Sequence, residues 1–569
     1  MRVAPLRKLI ALVLQRYRCD LLALVALVGL CGVYFAPLFH PDPAQRRFVV
    51  EGDFYNHFYP FRAFAAQEWW QRRVPLWNPY VLAGHPFLAD VQTAVFYPFS
   101  LLTAIVLGRG GLSPKEFELE MALHYPLAGL FAFLLARRLT GDAVAASLGA
   151  VMFAFGGYLT SYPMQQLAIL ETAVWWPLAL YLIDRGADGS RPLPAWAAGG
   201  LVLGVAALAG HPQTMLYVGY ATAAFLVWRG RARGHGWPTV VGGLAVVGGV
   251  AVGLAAVQLL PSVELLGQSN RVRMPLEEAG HGYEARALVA TVLPRWRGEL
   301  ALYVGLAPLL LAGVAVWRCG RARTWFWVLL GALSLVLSLG ANTPLFPVLY
   351  QLAPGFNLFR DQERIVLLYN VSAALLAAHG LSWLLKASPD ERRRTLGPCL
   401  TVTGLGFAVL SALVGGGLLA SPPGTGADSA FGRLAEAARW SWLFAAAIFG
   451  WLVVAYRRPG WGTAMGALLV GLVVVDLCSA SWGTNFAVGR RDPLATLRPI
   501  AERIHADIDE LFRVRGESEG VLPSNYTPFV DLPTISGDTP IVLQRVQTLL
   551  ATREEWRVWQ LLNVKYEIA

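Results

Sequence analysis

Apolar runs long enough to cross about 30 Å of hydrocarbon recur through this chain, at 20–39, 118–136, 143–162, 167–183, 195–210, 212–228, 239–261, 299–317, 324–341, 365–385, 398–420, 439–456 and 463–482. Thirteen such runs leave few architectures open. Only 15% of residues are charged and 56% are hydrophobic, where a soluble protein would carry about a quarter charged. The expected fold is therefore an all-α polytopic membrane protein with about thirteen transmembrane helices. A formal charge of +10 would raise nucleic acid in a soluble chain; here it reads as arginine holding loops inside, with membrane lipids and no nucleic acid as partners.

The charge distribution supports this count. With the N-terminus cytoplasmic, the inside loops carry Arg137 and Arg138, Arg185 and Arg191, Arg229 to Arg233, Arg318 to Arg323, Lys386 with Arg392 to Arg394, and Arg457 with Arg458. The short outside connections 161–166 and 210–212 carry no Lys or Arg. If the apolar run 95–108 also crossed, every later basic loop would flip outward, so it reads as an interfacial or re-entrant helix. Phe58, Phe61, Ala65 and Trp69, at spacings of three and four, suggest a second interfacial helix. The first run follows basic residues as a signal peptide would, but it is long enough to span and lacks a small-residue cleavage site. Five cysteines at 19, 31, 319, 399 and 478 form no CxxC and no Cys/His cluster, which argues against disulfides and structural zinc.

Two regions stand apart. The first outer loop, 40–117, contains a stretch (51–98) too polar and too rich in Pro and Gly to span, yet unusually aromatic. Loops of this kind carry function. After residue 482 hydrophobic density falls, and 483–569 reads as a small extracytoplasmic α/β appendage: a helix over 493–512, a strand at 513–514, a helix near 539–550 and a last strand around 564–568.

The chain has no P-loop, GxGxxG or HExxH. Asp507 and Asp509 make a DxD, but on a helix these positions do not share a face, so a solvated surface is the reading. Asp53, among Phe54, Tyr55, Phe58 and Tyr59, is expected to sit partly desolvated at headgroup depth, as a general base or as the cap of a helix starting near His57. Asp90 reads as a helix cap, an acceptor-binding group or a metal ligand. His57, His85, Gln92 and His211 fall on the outer side as candidate substrate contacts. Glu171 lies inside a span, where a carboxylate is either functional or paired within the bundle; Asp476 invites the same two readings and leans structural. Arg360 and Arg364 open the span 365–385 from outside, one helical turn apart, and suit recognition of a lipid phosphate or ion pairing with Asp361 and Glu363.

The run GDFYNHFYPF…PLWNPYVLAGHPFLADVQTAVFYP closely resembles the first outer loop of YfhO-like bacterial membrane proteins. ARRLTGDAVAASLGAVMFAFGGYL (136–159), LAGHPQTMLY (208–217), YVGLAPLLLA (303–312), NLFRDQERIVLLYN (357–370) and LLNVKYEIA (561–569) add to the likeness. That family belongs with the GT-C glycosyltransferases. The resemblance implies a GT-C-like membrane domain over 1–482, a polyprenyl-phosphate sugar donor and an extracytoplasmic glycan, polymer or lipid acceptor. It implies an inverting transfer with Asp53 as general base, and location in the bacterial inner membrane. Mg2+ or Mn2+ is left open. Two departures stand out: Gln362 replaces the proline of an FRxPxR-like segment, and the chain stops at the VKY strand, as a shorter or truncated relative would. The rival readings are a lipid-linked glycan flippase, which predicts internal repeats and mid-membrane polar residues, and a non-catalytic envelope scaffold.

Overall fold

A computed structural model describes residues 3–269, 271, 274–294, 296–420, 430–458, 462–490, 492–507, 511–516, 523, 525–552 and 555–568. Hydrocarbon forces a chain to satisfy its own backbone, which leaves helices as the spanning form here. Every one of the thirteen apolar runs is largely helical. Among the described residues nine helices are long and apolar enough to cross a membrane. The helices Ala143–Phe155, Leu193–Leu208, Pro212–Ala232 and Arg321–Ser338, covering the other four runs, fall short in length or apolarity. The chain is a multi-pass, all-α membrane protein with small strand elements outside the bundle.

At the bundle centre stands Gln362–Lys386, whose apolar window is 100% buried, whereas Pro389–Gly415 at the periphery is only 6% buried. Small residues let the central helix be enclosed: a Cβ on Gly380 would lie 2.0 Å from the Leu311 carbonyl oxygen, and one on Gly149 3.6 Å from the Ala378 Cβ. Helices in lipid gain their association from such close backbone approach.

The two ends of the bundle differ. One collects basic groups paired with acids: Arg137 with Asp20 at 2.7 Å, Arg138 with Asp184 at 2.5 Å, and Arg233 with Asp188 at 2.8 Å. The other carries the first loop and the tail, joined by one strand pair the sequence did not announce. β1 (Arg47–Val49) pairs antiparallel with β2 (Phe486–Val488), Phe48 opposite Ala487. β3 (Arg513–Gly516) and β4 (Val564–Ile568) form a parallel pair in the tail. The tail helices are Pro493–Asp507, shorter than expected, Gln544–Leu550, and an unforeseen Glu555–Leu561. Asp507 ends the first of these; Asp509 of the DxD lies outside the described residues.

Within the first loop, Pro98–Leu107 is a ten-residue helix, about 15 Å long and too short to cross. Leu102, Ile105 and Val106 are exposed on it, while its Ala104 carbonyl accepts a 2.7 Å hydrogen bond from Trp70. The expected interfacial helix exists as Tyr59–Trp70, but Phe61 and Ala65 are buried in the loop's own core with Phe87 and Val95, and Phe58 is buried in the main core, rather than turned to lipid.

Candidate functional site

Asp53 lies just past β1, after Val50, Glu51 and Gly52. Backbone N–H groups of Tyr55 and Asn56 both bond the Gly52 carbonyl, at 3.1 and 2.9 Å, and open a π-helical turn, Phe54–Phe58. That turn buries Phe54 and Tyr55 and leaves Asp53 on the surface. The desolvated position expected among aromatics is thus not the one observed, and Asp53 makes no side-chain cap bond. Its Oδ2 instead accepts from the Gln166 side-chain amide at 3.1 Å.

Gln166 closes the short segment 158–166, which contains one helical turn, Tyr162–Gln165. At the segment's other end the Tyr158 hydroxyl donates to the Arg364 carbonyl at 2.9 Å. Residues 158–166 therefore touch both the exposed acid and the arginine segment.

Arg360 and Arg364 do not lie one helical turn apart. Asp361 between them is left-handed (φ 60°), and the 3-10 helix starts only at Gln362. Arg364 is largely enclosed: it donates to Gln213 Oε1 at 2.8 Å and pairs with Asp361 at 3.0 Å. Arg360 is half exposed, with Asp361 at 3.5 Å and Glu278 at 3.8 Å. The turn depends on the residue that stands in the expected proline position, because the Gln362 N–H donates to the His281 carbonyl at 2.7 Å. Proline has no such proton. His211 caps the next helix, its Nδ1 accepting from the Thr214 N–H at 3.1 Å and hydroxyl at 2.8 Å. Burial, and then the Arg364 charge, holds His211 well below the usual histidine range, so the ring is neutral.

Asp90 is fully buried and committed. Oδ1 caps Gln92 through its backbone N–H at 3.0 Å, and Oδ2 accepts from His85 Nε2 at 3.2 Å and from Thr539 of the tail at 2.6 Å. Burial pushes its carboxyl up, but the His85 bond and the His85 and His57 charges outweigh it and hold the group below the usual range. His57 is buried beside Phe61, with Nδ1 3.3 Å from the Asp538 carbonyl oxygen and Nε2 unpartnered. Asp90, His57 and His85 thus form a seam between loop and tail, away from the surface on which Asp53 lies. Gln92 borders His211 through the bend at Gly210 (φ +90°), where a Cβ would lie 2.2 Å from the Val91 carbonyl oxygen.

Glu171 is buried against Arg62 of the first loop at 2.5 Å, with Glu120 3.8 Å from the same guanidinium. Asp476 accepts from the Tyr303 hydroxyl at 2.7 Å. Both acids have partners within the bundle. Glu118, not singled out from sequence, roots the loop through Arg46 at 2.8 Å and the Tyr55 hydroxyl. Among the described residues no group of three or more His, Cys, Asp or Glu is arranged to hold a metal ion.

No family model matches the chain, and no curated protein matches it. Among solved structures it resembles ArnT from Cupriavidus metallidurans bound to undecaprenyl phosphate, at 15% identity over 95% of this chain and 89% of that one, with a TM-score of 0.49. The apo Archaeoglobus fulgidus oligosaccharyltransferase is similar at 14% identity over 96% of this chain and 69% of that one, with a TM-score of 0.45.

Proposed function

We propose that this protein is a membrane glycosyltransferase of the GT-C type, moving a sugar from a polyprenyl-phosphate donor to an extracytoplasmic glycan, polymer or lipid acceptor with inversion. The observation that carries the reading is the shared support of the exposed Asp53 and the Arg364 segment by residues 158–166. An open carboxylate can take the proton of an acceptor hydroxyl as that oxygen attacks the anomeric carbon. The bond to the donor phosphate then breaks, and the phosphate leaves as an anion stabilised by the guanidinium groups of Arg360 and Arg364. Gln92, half-buried beside Gly210, remains a candidate acceptor contact in this reading, while His211 is buried as a helix cap. In this reading the loop face is extracytoplasmic and the basic end cytoplasmic, in a bacterial inner membrane. Mg2+ and Mn2+ have no evident donor set among the described residues, and no step is assigned to either.

The test is transfer from a radiolabelled polyprenyl-phosphate sugar in proteoliposomes, with the anomeric configuration of the product read by NMR. Inverted product supports the reading. Retained configuration removes Asp53 as a simple base, and lipid movement across the bilayer without transfer points to a flippase.

A further inference from the structure

An apolar cavity of about 710 Å3 lies between the helix Leu306–Arg318 and the peripheral pair Pro389–Ala420 and Ala430–Arg457. On the first helix Leu306, Leu309, Leu310, Gly313, Val314 and Trp317 line it, spaced by threes and fours so that they share one face. Pro398, Val402, Gly406 and Leu410 do the same on the second. Thr403 supplies the only hydroxyl among the described lining residues. Trp317, Val402 and Val409 are 52%, 63% and 60% exposed, so the cavity opens sideways, toward hydrocarbon. Empty, such a gap forgoes the close contacts that hold helices together in lipid. A chain from the bilayer restores them.

The cavity has a direction. Residues 306–317 rise about 16 Å along their helix, the depth of one leaflet of a ~30 Å hydrocarbon core. At the far end Ser441 donates to the Val292 carbonyl at 2.7 Å, and Val292 and Leu293 close the cavity there. The Trp317 end is the basic one. The Arg318 guanidinium carbon lies 3.9 Å from the Trp317 ring centroid and 5.4 Å from that of Trp383. Its Nε is buried and, among the described residues, has no hydrogen-bond partner. The two connections at this end, 318–323 and 386–394, hold seven Lys and Arg against Asp390 and Glu391. Glu391 is engaged by the Ser388 N–H at 3.0 Å and hydroxyl at 2.7 Å. Basic pockets between spanning helices collect anionic lipid headgroups. Arg360 and Arg364 precede the helix Val366–Lys386 and so stand about 30 Å away, which separates this end from the phosphate contact assigned to them.

We propose that this cavity binds one anionic diacyl phospholipid from the leaflet at the basic end, an acyl chain between the helices and the phosphate against Arg318. A long isoprenoid chain entering at Trp317 would meet Val292 and Leu293 after the depth of one leaflet. The bound lipid ties the peripheral helix pair to the bundle. It serves neither donor nor acceptor, and the assignment is independent of the sugar-transfer reading.

The full chain would be reconstituted in nanodiscs of phosphatidylcholine alone or mixed with anionic phosphatidylglycerol. Lipid retained after extraction into detergent would be counted by native mass spectrometry, with the thermal midpoint read before and after stripping. Wild type is expected to retain one phosphatidylglycerol in preference to phosphatidylcholine, and its midpoint should fall on stripping. A Cβ at Gly313 or Gly406 meets nothing within 4 Å, so Gly313→Leu and Gly406→Leu place side chains in open cavity. Each should abolish retention while the stripped midpoint stays equal or rises. Arg318→Gln should weaken phosphatidylglycerol retention about fivefold and leave phosphatidylcholine unchanged. Equal retention of both lipids by wild type would overturn the proposal, as would full retention in both leucine variants or in Arg318→Gln. A stripped midpoint lowered in both leucine variants would show that the helices close on one another there, and overturn it too. Release of the phospholipid by geranylgeranyl phosphate would make an isoprenoid chain the occupant instead.

Discussion

The Asp53 carboxylate accepts a 3.1 Å hydrogen bond from the Gln166 side-chain amide, joining the first loop to a turn between two helices 113 residues further along the chain. The bond orients an exposed acid without burying it, and its neutral donor leaves the carboxylate's charge uncompensated. Replacing Gln166 by Ala should leave folding intact and lower kcat about tenfold, the worth of one hydrogen bond of roughly 1.4 kcal/mol. Steady-state kinetics would show this as a kcat effect with KM little changed.

The seam between loop and tail should resist acid to an unusual degree. Asp90 is held below its usual range, so its stabilising contribution is present above the ordinary carboxylate value, near 3.8, and is lost only as pH falls through the lower folded-state value. Limited proteolysis of the tail should therefore be unchanged from pH 8 to about pH 4 so far as this group governs it, and accelerate below. Asp90→Ala, which leaves His85 and Thr539 without their shared acceptor, should expose the tail to protease at neutral pH, with a loss of about 2 to 4 kcal/mol.

His211 also loses its contribution as pH falls, but from a higher starting pH than Asp90. Its ring stays neutral when folded while an unfolded histidine titrates near 6.5. Stability contributed here is full above about pH 6.5 and falls as pH drops, by up to about 1.4 kcal/mol per unit for one proton, until the folded value is reached. Asn also caps helices well, so His211→Asn should keep the helix start and flatten this part of the thermal-midpoint profile between pH 6.5 and 5.

Glu171 and Arg62 form a buried pair at 2.5 Å. Removing the cation, as in Arg62→Ala, should cost about 3 to 5 kcal/mol by stranding the buried Glu171 and Glu120 side chains that share it. Thermal unfolding in detergent would register the loss.

Much of this architecture is legible in the residues, because a helix in hydrocarbon must be apolar along its length and a short outer connection must lack Arg. What fails to show is contact between distant segments. The three residues of β1, Arg47, Phe48 and Val49, carry no alternation that points to Phe486–Val488. Phe58, Phe61 and Ala65 repeat with a helical period, but a period says that one face is apolar and not what covers it; Phe87 and Val95 cover Phe61 and Ala65, and the main core covers Phe58, instead of lipid. The Arg360–Arg364 spacing suggests a helical turn, and a left-handed Asp361 breaks it. Gln166 gives almost no signal: its only cue is a pair of glutamines, Gln165 and Gln166, in an otherwise sparse connection. The acids were easier to notice than to assign, since Asp53, Asp90 and Glu171 differ chiefly in burial and partners, which only the folded chain reveals.

The central claim is that Asp53 is the base of a sugar transfer, and Asp53→Asn in the proteoliposome transfer assay tests it most directly. The substitution keeps shape and the surface position while removing the proton acceptor. The account predicts that transfer falls by at least about a hundredfold with the thermal midpoint unchanged. Transfer at the wild-type rate by a folded Asp53→Asn protein would contradict it.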